Sequence, residues 1–319
     1  MATLKNVTLV ALVLVALSIF APPTAAPAQA QMIPVTACGQ TLSAPGKYQL
    51  NNDIGPCPGN GVNITSSNVT FDLQDFTISG DPAVCSVNIT YDGINVSGPV
   101  SGVKIMHGSI SGFNDGVDLS FVTDSSVNGV VITNACFFGV TVGNSQKVTV
   151  SGNTINSAGL DGVEIGGSST QVAVKGNTIR FNGRFGVLVE TDRNKIMGNK
   201  INDNGTEDVG GGVDIHVGER NKIKGNTISV NAPFGVLLRT NRSVVSNNTI
   251  NGNTQVGVTV GVLGAGKNKI KGVTATGNGV VDLQDVNPAC GTNTWSGNTF
   301  VTDEVAGAPD GGPGAGCIR

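Results

Sequence analysis

Gly162-Val-Glu-Ile-Gly-Gly-Ser-Ser-Thr-Gln-Val-Ala-Val-Lys-Gly-Asn-Thr-Ile179 is the stretch that decides the fold. Val163 and Ile165 alternate with Glu164, Val172 and Val174 alternate with Ala173, and Thr178-Ile179 follows a Gly-Asn pair. Three short period-2 runs separated by turn residues read as three strands. The unit recurs in both directions. Its strand glycine returns as Gly61, Gly93, Gly116, Gly139, Gly162, Gly186, Gly212, Gly235, Gly257 and a degenerate Gly279, at steps of 32, 23, 23, 23, 24, 26, 23, 22 and 22 residues. A second column, Gly-Asn-Thr-Ile or a close variant, keeps the same beat through Asn153, Asn177, Asn199, Asn226, Asn248 and Asn298, with Val273 in the one vacant slot.

A period of this length is too short for a propeller blade, lacks the helical run of most solenoid repeats and lacks leucine-rich spacing. What remains is an all-β solenoid, a single-stranded parallel β-helix of about ten turns stacked about 4.8 Å apart. Inward Val, Ile and Leu are expected to fill its core, with the residue between them facing solvent. The glycine and asparagine columns are expected at corners that need left-handed backbone, and stacked asparagines bond along the rod.

The ends follow from the same reading. Residues 1–30 carry Lys5, an apolar run from Val7 to Ala21 and Ala28-Gln-Ala30, the pattern of a secretory signal peptide. Residues 31–60 are expected to cap the rod, 61–300 to form it, and the Gly/Pro-rich 301–319 to make a tail closed by a disulfide. Six cysteines in an exported chain, with no close Cys/His cluster, read as disulfides. Cys38 with Cys57 and Cys290 with Cys317 would close the two ends, leaving Cys85 with Cys136. Export to the surface, periplasm or exterior of a bacterium, as a monomer with no membrane span after cleavage, is the corresponding expectation. A net charge of −3 and the absence of a nucleic-acid motif exclude a phosphate-backbone binder. Two histidines and four methionines give little support to metal handling.

Gly-Val-x-Ile and Gly-Asn-Thr-Ile, with the Cys-bearing segment before Asn68-Val-Thr-Phe-Asp-Leu73 and the closing Cys290-Gly-Thr-Asn-Thr-Trp-Ser-Gly-Asn-Thr-Phe300, resemble bacterial right-handed parallel β-helix repeat proteins of the pectate-lyase-like superfamily. The resemblance spans Cys38 to the C-terminus. It implies a right-handed coil and a polysaccharide or surface glycan lying along the outer face of the Gly-Val-x-Ile strands. The motifs that mark polygalacturonases, alginate epimerases and pectate lyases within that superfamily are absent, so lyase, epimerase and hydrolase chemistry all stay open. So does a non-catalytic surface, structural or glycan-binding rod.

Up that face the outward residues are Asn95, Asp118, Thr141, Glu164, Leu188, Asp214, Leu237 and Thr259, and two residues on, Ser97, Ser120, Gly143, Gly166, Glu190, His216, Arg239 and Gly261. Glu190, His216 and Arg239 occupy consecutive turns, with Asp214 beside His216. His216 as base, Arg239 on a uronate carboxylate and Glu190 or Asp214 tuning the imidazole make one candidate catalytic set. Glu190 and Asp214 as a glycosidase carboxylate pair make another. Glu164, Asp118 and Asp161 are candidate substrate-binding residues. No metal or other cofactor is implied: Asp118, Glu164 and Asp214 lie two turns apart, wide for one calcium ion. On the next sheet Lys175, Lys224 and Lys271 form one basic column and Lys195, Lys222 and Lys269 another, a basic face that suits either a polyanionic glycan or the common device that keeps an exposed sheet soluble.

Overall fold

The structure is a computed structural model, and it describes residues 32–81, 91–205, 209–309, 312 and 316–319. The expected signal peptide lies outside the described residues. Met32–Arg319 is one compact unit. It is an all-β parallel right-handed solenoid of about 11 turns. No helix among the described residues is long and apolar enough to cross a membrane.

Each coil supplies three strands, as in Val163–Gly166, Ala173–Lys175 and Thr178–Arg180. The first strands stack into a 13-stranded sheet, here the first face. The second and third strands stack into two further faces. These form one 20-stranded sheet, because Lys104–Ser111 and Ser126–Thr133 run unbroken around the corner between them. Register is uniform: Val163 pairs with Val140 below and Val187 above, and Ile179 with Ile155 and Ile201. The alternation seen in the sequence therefore lays one inward column on the next, and Val163, Ile165, Val172, Val174 and Ile179 are all fully buried. The opening segment is built into this stack. Gln40–Leu42, Gly46–Leu50 and Ile54–Cys57 pair with Val62–Ile64, Val69–Asp72 and Thr77–Gly80, so it forms the first coil.

The strand glycines are small for a different reason from the one expected. Gly162 does not have a positive φ; instead a Cβ there would stand 2.5 Å from Ile179 Cγ2 and 2.7 Å from the Gly186 carbonyl oxygen. The coil is too narrow at this point for a side chain. Gly176, in the Gly-Asn column, is the left-handed corner, with φ of 63° and nothing near its missing Cβ.

Buried asparagines hold the corners. Asn177 Oδ1 accepts from the Asn153 backbone N–H at 2.9 Å and from Asn153 Nδ2 at 3.1 Å, while Asn177 Nδ2 donates to the Val150 carbonyl at 2.9 Å. The pattern repeats through Asn199, Asn226 and Asn248. A parallel ladder at the next corner, Asn182, Asn204, Asn231, Asn253 and Asn278, does the same work. Corner groups with no strand partner are thereby satisfied out of reach of water.

Disulfides close both ends, Cys38–Cys57 with a Cα separation of 5.5 Å and Cys290–Cys317 with 6.1 Å. The expected middle pairing rests on Cys85, which lies outside the described residues. The tail adds the antiparallel strands Asp303–Val305 and Ala308–Pro309, and Ile318 is buried.

Candidate functional site

The first face carries the charges singled out above, in three columns. Next to the strand glycine stand Asp92, Asp115, Phe138, Asp161, Phe185 and, two coils on, Phe234. The middle column contains Asp118, Thr141, Glu164, Leu188, Asp214 and Leu237, each paired with its neighbours in the sheet. At the end of its strand comes Gly166, and just beyond the ends of the next three come Glu190, His216 and Arg239. Backbone N–H groups of Glu190, His216 and Arg239 donate to Ile165, Val189 and Ile215, which fixes the three side chains on successive turns.

The toward-solvent expectation fails for part of the middle column. Leu188, Leu237 and Thr259 are buried, and Asp214 is only 1% exposed. Leu188 and Asp214 floor a depression of about 210 Å³ whose rim is made by Arg184, Phe185, Glu190, Val209, His216 and Arg239. Larger neighbours on both sides shut water away from a position that strand alternation alone turns outward.

Asp214 is the centre of the cluster. Arg239 Nε donates to its Oδ2 at 3.2 Å and Oδ1 at 3.4 Å, and His216 Nδ1 lies 3.5 Å from Oδ2. Burial raises the Asp214 carboxyl, and the Arg239 charge and then His216 draw it only partly back, so that it stays above the ordinary carboxylate value. The imidazole is 47% exposed and the guanidinium 35%, so both face the depression. An Nδ1–H directed at Asp214 leaves Nε2 as a proton acceptor toward that space. The bonds from Arg239 to Asp214 use only Nε, so the terminal amines are free of this carboxylate.

Asp161 and Arg184 form a second anchored pair two turns earlier. Asp161 is fully buried and accepts from Arg184 Nε at 2.9 Å, from the second Arg184 amine, and from the Phe185 backbone N–H at 2.9 Å. Its oxygens are thus occupied, and it holds Arg184 over the depression. Arg184 was missed in the sequence because it lies one residue outside the alternating run; its only signal is its position one coil after Leu160, next to the Asp161 column. Glu164 stands free of such a partner. Burial, then Asp161 and Glu190, push its carboxyl up to about 7. A Cβ at Gly166 would lie 3.6 Å from both Glu164 Oε1 and Glu190 Oε2, so the two carboxylates border one gap over that glycine.

Toward the N-terminus the acids lack cations. Asp115 accepts from Thr141 Oγ1 at 2.7 Å and from the Phe138 N–H at 3.3 Å, yet burial carries it to about 7. Asp92, bonded by Asn95 Nδ2 at 3.0 Å, is likewise raised to about 7 by burial and then by Asp115. Asp118, which accepts from Ser120 Oγ at 2.6 Å, is raised by burial. Asp92 escaped the sequence reading because the long coil that precedes it breaks the beat. Among the described residues no group of three or more His, Cys, Asp or Glu converges as a metal site. His107, at a left-handed corner with φ of 49°, lies 3.4 Å from Asp72, away from the cluster.

Comparisons with known proteins agree with this architecture. Over 85% of its length the chain is similar to the Dettilon tailspike protein, with a TM-score of 0.61 and 16% identity, and it spans 62% of that chain. It is similar to the A-module of the mannuronan C-5 epimerase AlgE6 of Azotobacter vinelandii, with a TM-score of 0.56, 15% identity and coverage of 86% and 90%. The periplasmic alginate epimerase AlgG gives a TM-score of 0.60 at 12% identity, with coverage of 80% and 77%. At such identities the likeness is one of fold. No curated protein sequence matches. The family described as the right handed beta helix region matches residues 49–194 and 138–305, and the chain belongs to that family.

Proposed function

We propose that the chain is an exported protein that binds and modifies an acidic polysaccharide on its first face, with His216 as the proton-transferring base. One observation carries the reading: an exposed imidazole and an exposed guanidinium share one buried carboxylate at the floor of a depression. Three structural neighbours of the same fold add support: a mannuronan C-5 epimerase module, a periplasmic alginate epimerase and a tailspike protein. The disulfides at both ends suit an oxidising compartment outside the cytoplasm.

In this reading Asp214 orients His216 and Arg239 and touches no substrate. A free amine of Arg239 pairs with a uronate carboxylate, which lowers the cost of carbanion formation at the adjacent C5. His216 Nε2 takes the C5 proton. The electron pair then either expels the C4 oxygen, giving a C4=C5 double bond and a new chain end, or is reprotonated at C5, with Glu190 one turn away as the second proton-transfer group. Arg184, held by Asp161, supplies a further positive charge to the same chain. Hydrolysis by a Glu190–Asp214 pair is the weaker fit, because Asp214 is buried and engaged by Arg239 and His216.

Purified protein is to be screened against acidic and neutral polysaccharides, reading ultraviolet absorbance of unsaturated products and reducing ends, beside His216→Ala. Unsaturated products or altered uronate stereochemistry, lost in the variant, are expected with acidic substrates only. Reducing ends formed without unsaturation, and retained in His216→Ala, would replace this reading with hydrolysis.

A further inference from the structure

The corner between the first and second strands carries a second, separate charge pattern. Lys147, Gln171, Arg193, Arg220, Arg242 and Lys267 occupy the same left-handed position on six consecutive coils, with φ between 56° and 60°. Five of the six are cationic. The backbone does not ask for this: the corner after the third strand has the same conformation and holds Ser157, Phe181, Asp203 and Val230 at φ of 56° to 58°. Two residues on, Lys195 pairs with Lys222 in the second face, and Ala173, the next strand down, leaves a gap beside them.

The result is a depression of about 500 Å³ lined by Lys147, Arg193, Lys195, Arg220 and Lys222, with no acidic residue in its wall. Nearby acids are already engaged. Asp192 Oδ1 accepts from the Glu219 backbone N–H at 2.7 Å, Glu219 Oε2 accepts from Arg242 at 2.5 Å, and Asp124 lies 3.8 Å from Lys147. None of the ion pairs among the described residues involves Arg193, Arg220, Lys195 or Lys222. Unpaired cations collected on a protein of net charge −3 repel one another, a cost that an anionic ligand removes.

We propose that this second face is a docking site for an anionic polysaccharide chain that runs along the rod axis, distinct from the depression on the first face. Cations recur at the strand spacing of about 4.8 Å, close to the repeat at which an acidic polysaccharide presents its charges. Arg193 and Arg220, on consecutive coils, offer forked donors that match carboxylate or sulfate groups. A bilayer is the poorer fit, since none of the exposed large apolar side chains belongs to these columns. A nucleic acid fits less well too, because the columns hold no aromatic side chain on which bases would stack. The site extends the molecule's grip on a polymer without entering the chemistry.

The test measures binding of the full chain to polygalacturonate, with dextran as neutral control and phosphatidylglycerol vesicles and DNA as rival polyanions. Arg193→Gln/Arg220→Gln is expected to weaken polygalacturonate binding by about tenfold or more at low salt, with an unchanged melting temperature. Lys195→Gln/Lys222→Gln is a second variant with the same expected direction. Asp214→Asn/His216→Ala is expected to retain the binding that depends on Arg193 and Arg220, so loss of turnover and loss of docking are read separately. Binding in Arg193→Gln/Arg220→Gln equal to that of the unaltered protein would overturn the proposal. So would vesicles or DNA binding more tightly than the polysaccharide through the same two arginines.

Discussion

The lower and upper halves of the first face have one backbone and opposite electrostatics. In the lower coils Asp92 and Asp115 sit beside hydrogen-bond donors and other acids, and both carboxyls are pushed up to about 7, as is that of Glu164, which shares the first coil of the upper half with Asp161. In the upper coils Asp161 and Asp214, more deeply buried still, each hold an arginine. Burial alone therefore does not decide what an acid on this face becomes. A cation one or two residues off the strand draws the carboxylate toward its charged form and makes it a fixed positioning group, although Asp214 still stays above its ordinary value, and the absence of one leaves a proton acceptor that titrates near neutrality.

Three substitutions break or sharpen this contrast, in decreasing size of effect. Both halves rest on one inward frame, so Val187→Asp, which buries an unpaired charge at a fully covered position, is expected to cost more than about 4 kcal/mol and abolish a cooperative melt. Survival of the fold would mean that the two halves are independently supported. Arg239→Met strands the Asp214 carboxylate. A loss of about 2 kcal/mol is expected by chemical denaturation at pH 8, less than for a fully buried pair because the guanidinium is 35% exposed. Adding Asp214→Asn should recover most of it; no recovery would show that Arg239 stabilises by packing alone.

The smallest effect belongs mainly to the lower half and is read through pH. Carboxyls whose folded values lie near 7, against 3.8 or 4.5 when unperturbed, hold their protons in the folded chain after the unfolded chain has lost them. Their contribution is full below about pH 4 and is lost as pH rises toward 7 and slightly beyond. The protein should accordingly melt at a higher temperature at pH 5 than at pH 8. Asp115→Asn should flatten that slope and add roughly 1 kcal/mol at pH 8, measured by thermal melts across the range. A steeper slope in the variant would reverse the sign assigned here.

The coil was legible in the sequence because two columns, the strand glycine and the Gly-Asn pair, keep one beat over most of the chain. Their physical reasons were only half legible. That Gly162 is excluded by the Ile179 methyl and not by its own φ depends on the width of the coil, which no local pattern encodes. The second asparagine ladder was in plain view, since Asn182, Asn204, Asn231 and Asn253 each follow a first-ladder asparagine by five residues. The neighbourhood of Glu190, His216 and Arg239 followed from counting turns. The burial of Asp214 did not, because it comes from what Phe185, Leu188 and Leu237 cover between coils and not from strand alternation. Arg184 and Arg193 stand at corners, where period-2 reasoning ends and side-chain choice carries the information.

The claim that matters most is that His216 removes a proton from carbon. Proton nuclear magnetic resonance of an acidic polysaccharide incubated with the protein in deuterated water reads this step for elimination and epimerisation alike. The account predicts deuterium at C5, or C4–C5 unsaturated chain ends, with the unaltered protein, and at least a hundredfold slower appearance of either with His216→Ala, roughly the contribution of a positioned general base. Equal rates in the two proteins, or bound polysaccharide that acquires neither mark, would contradict it.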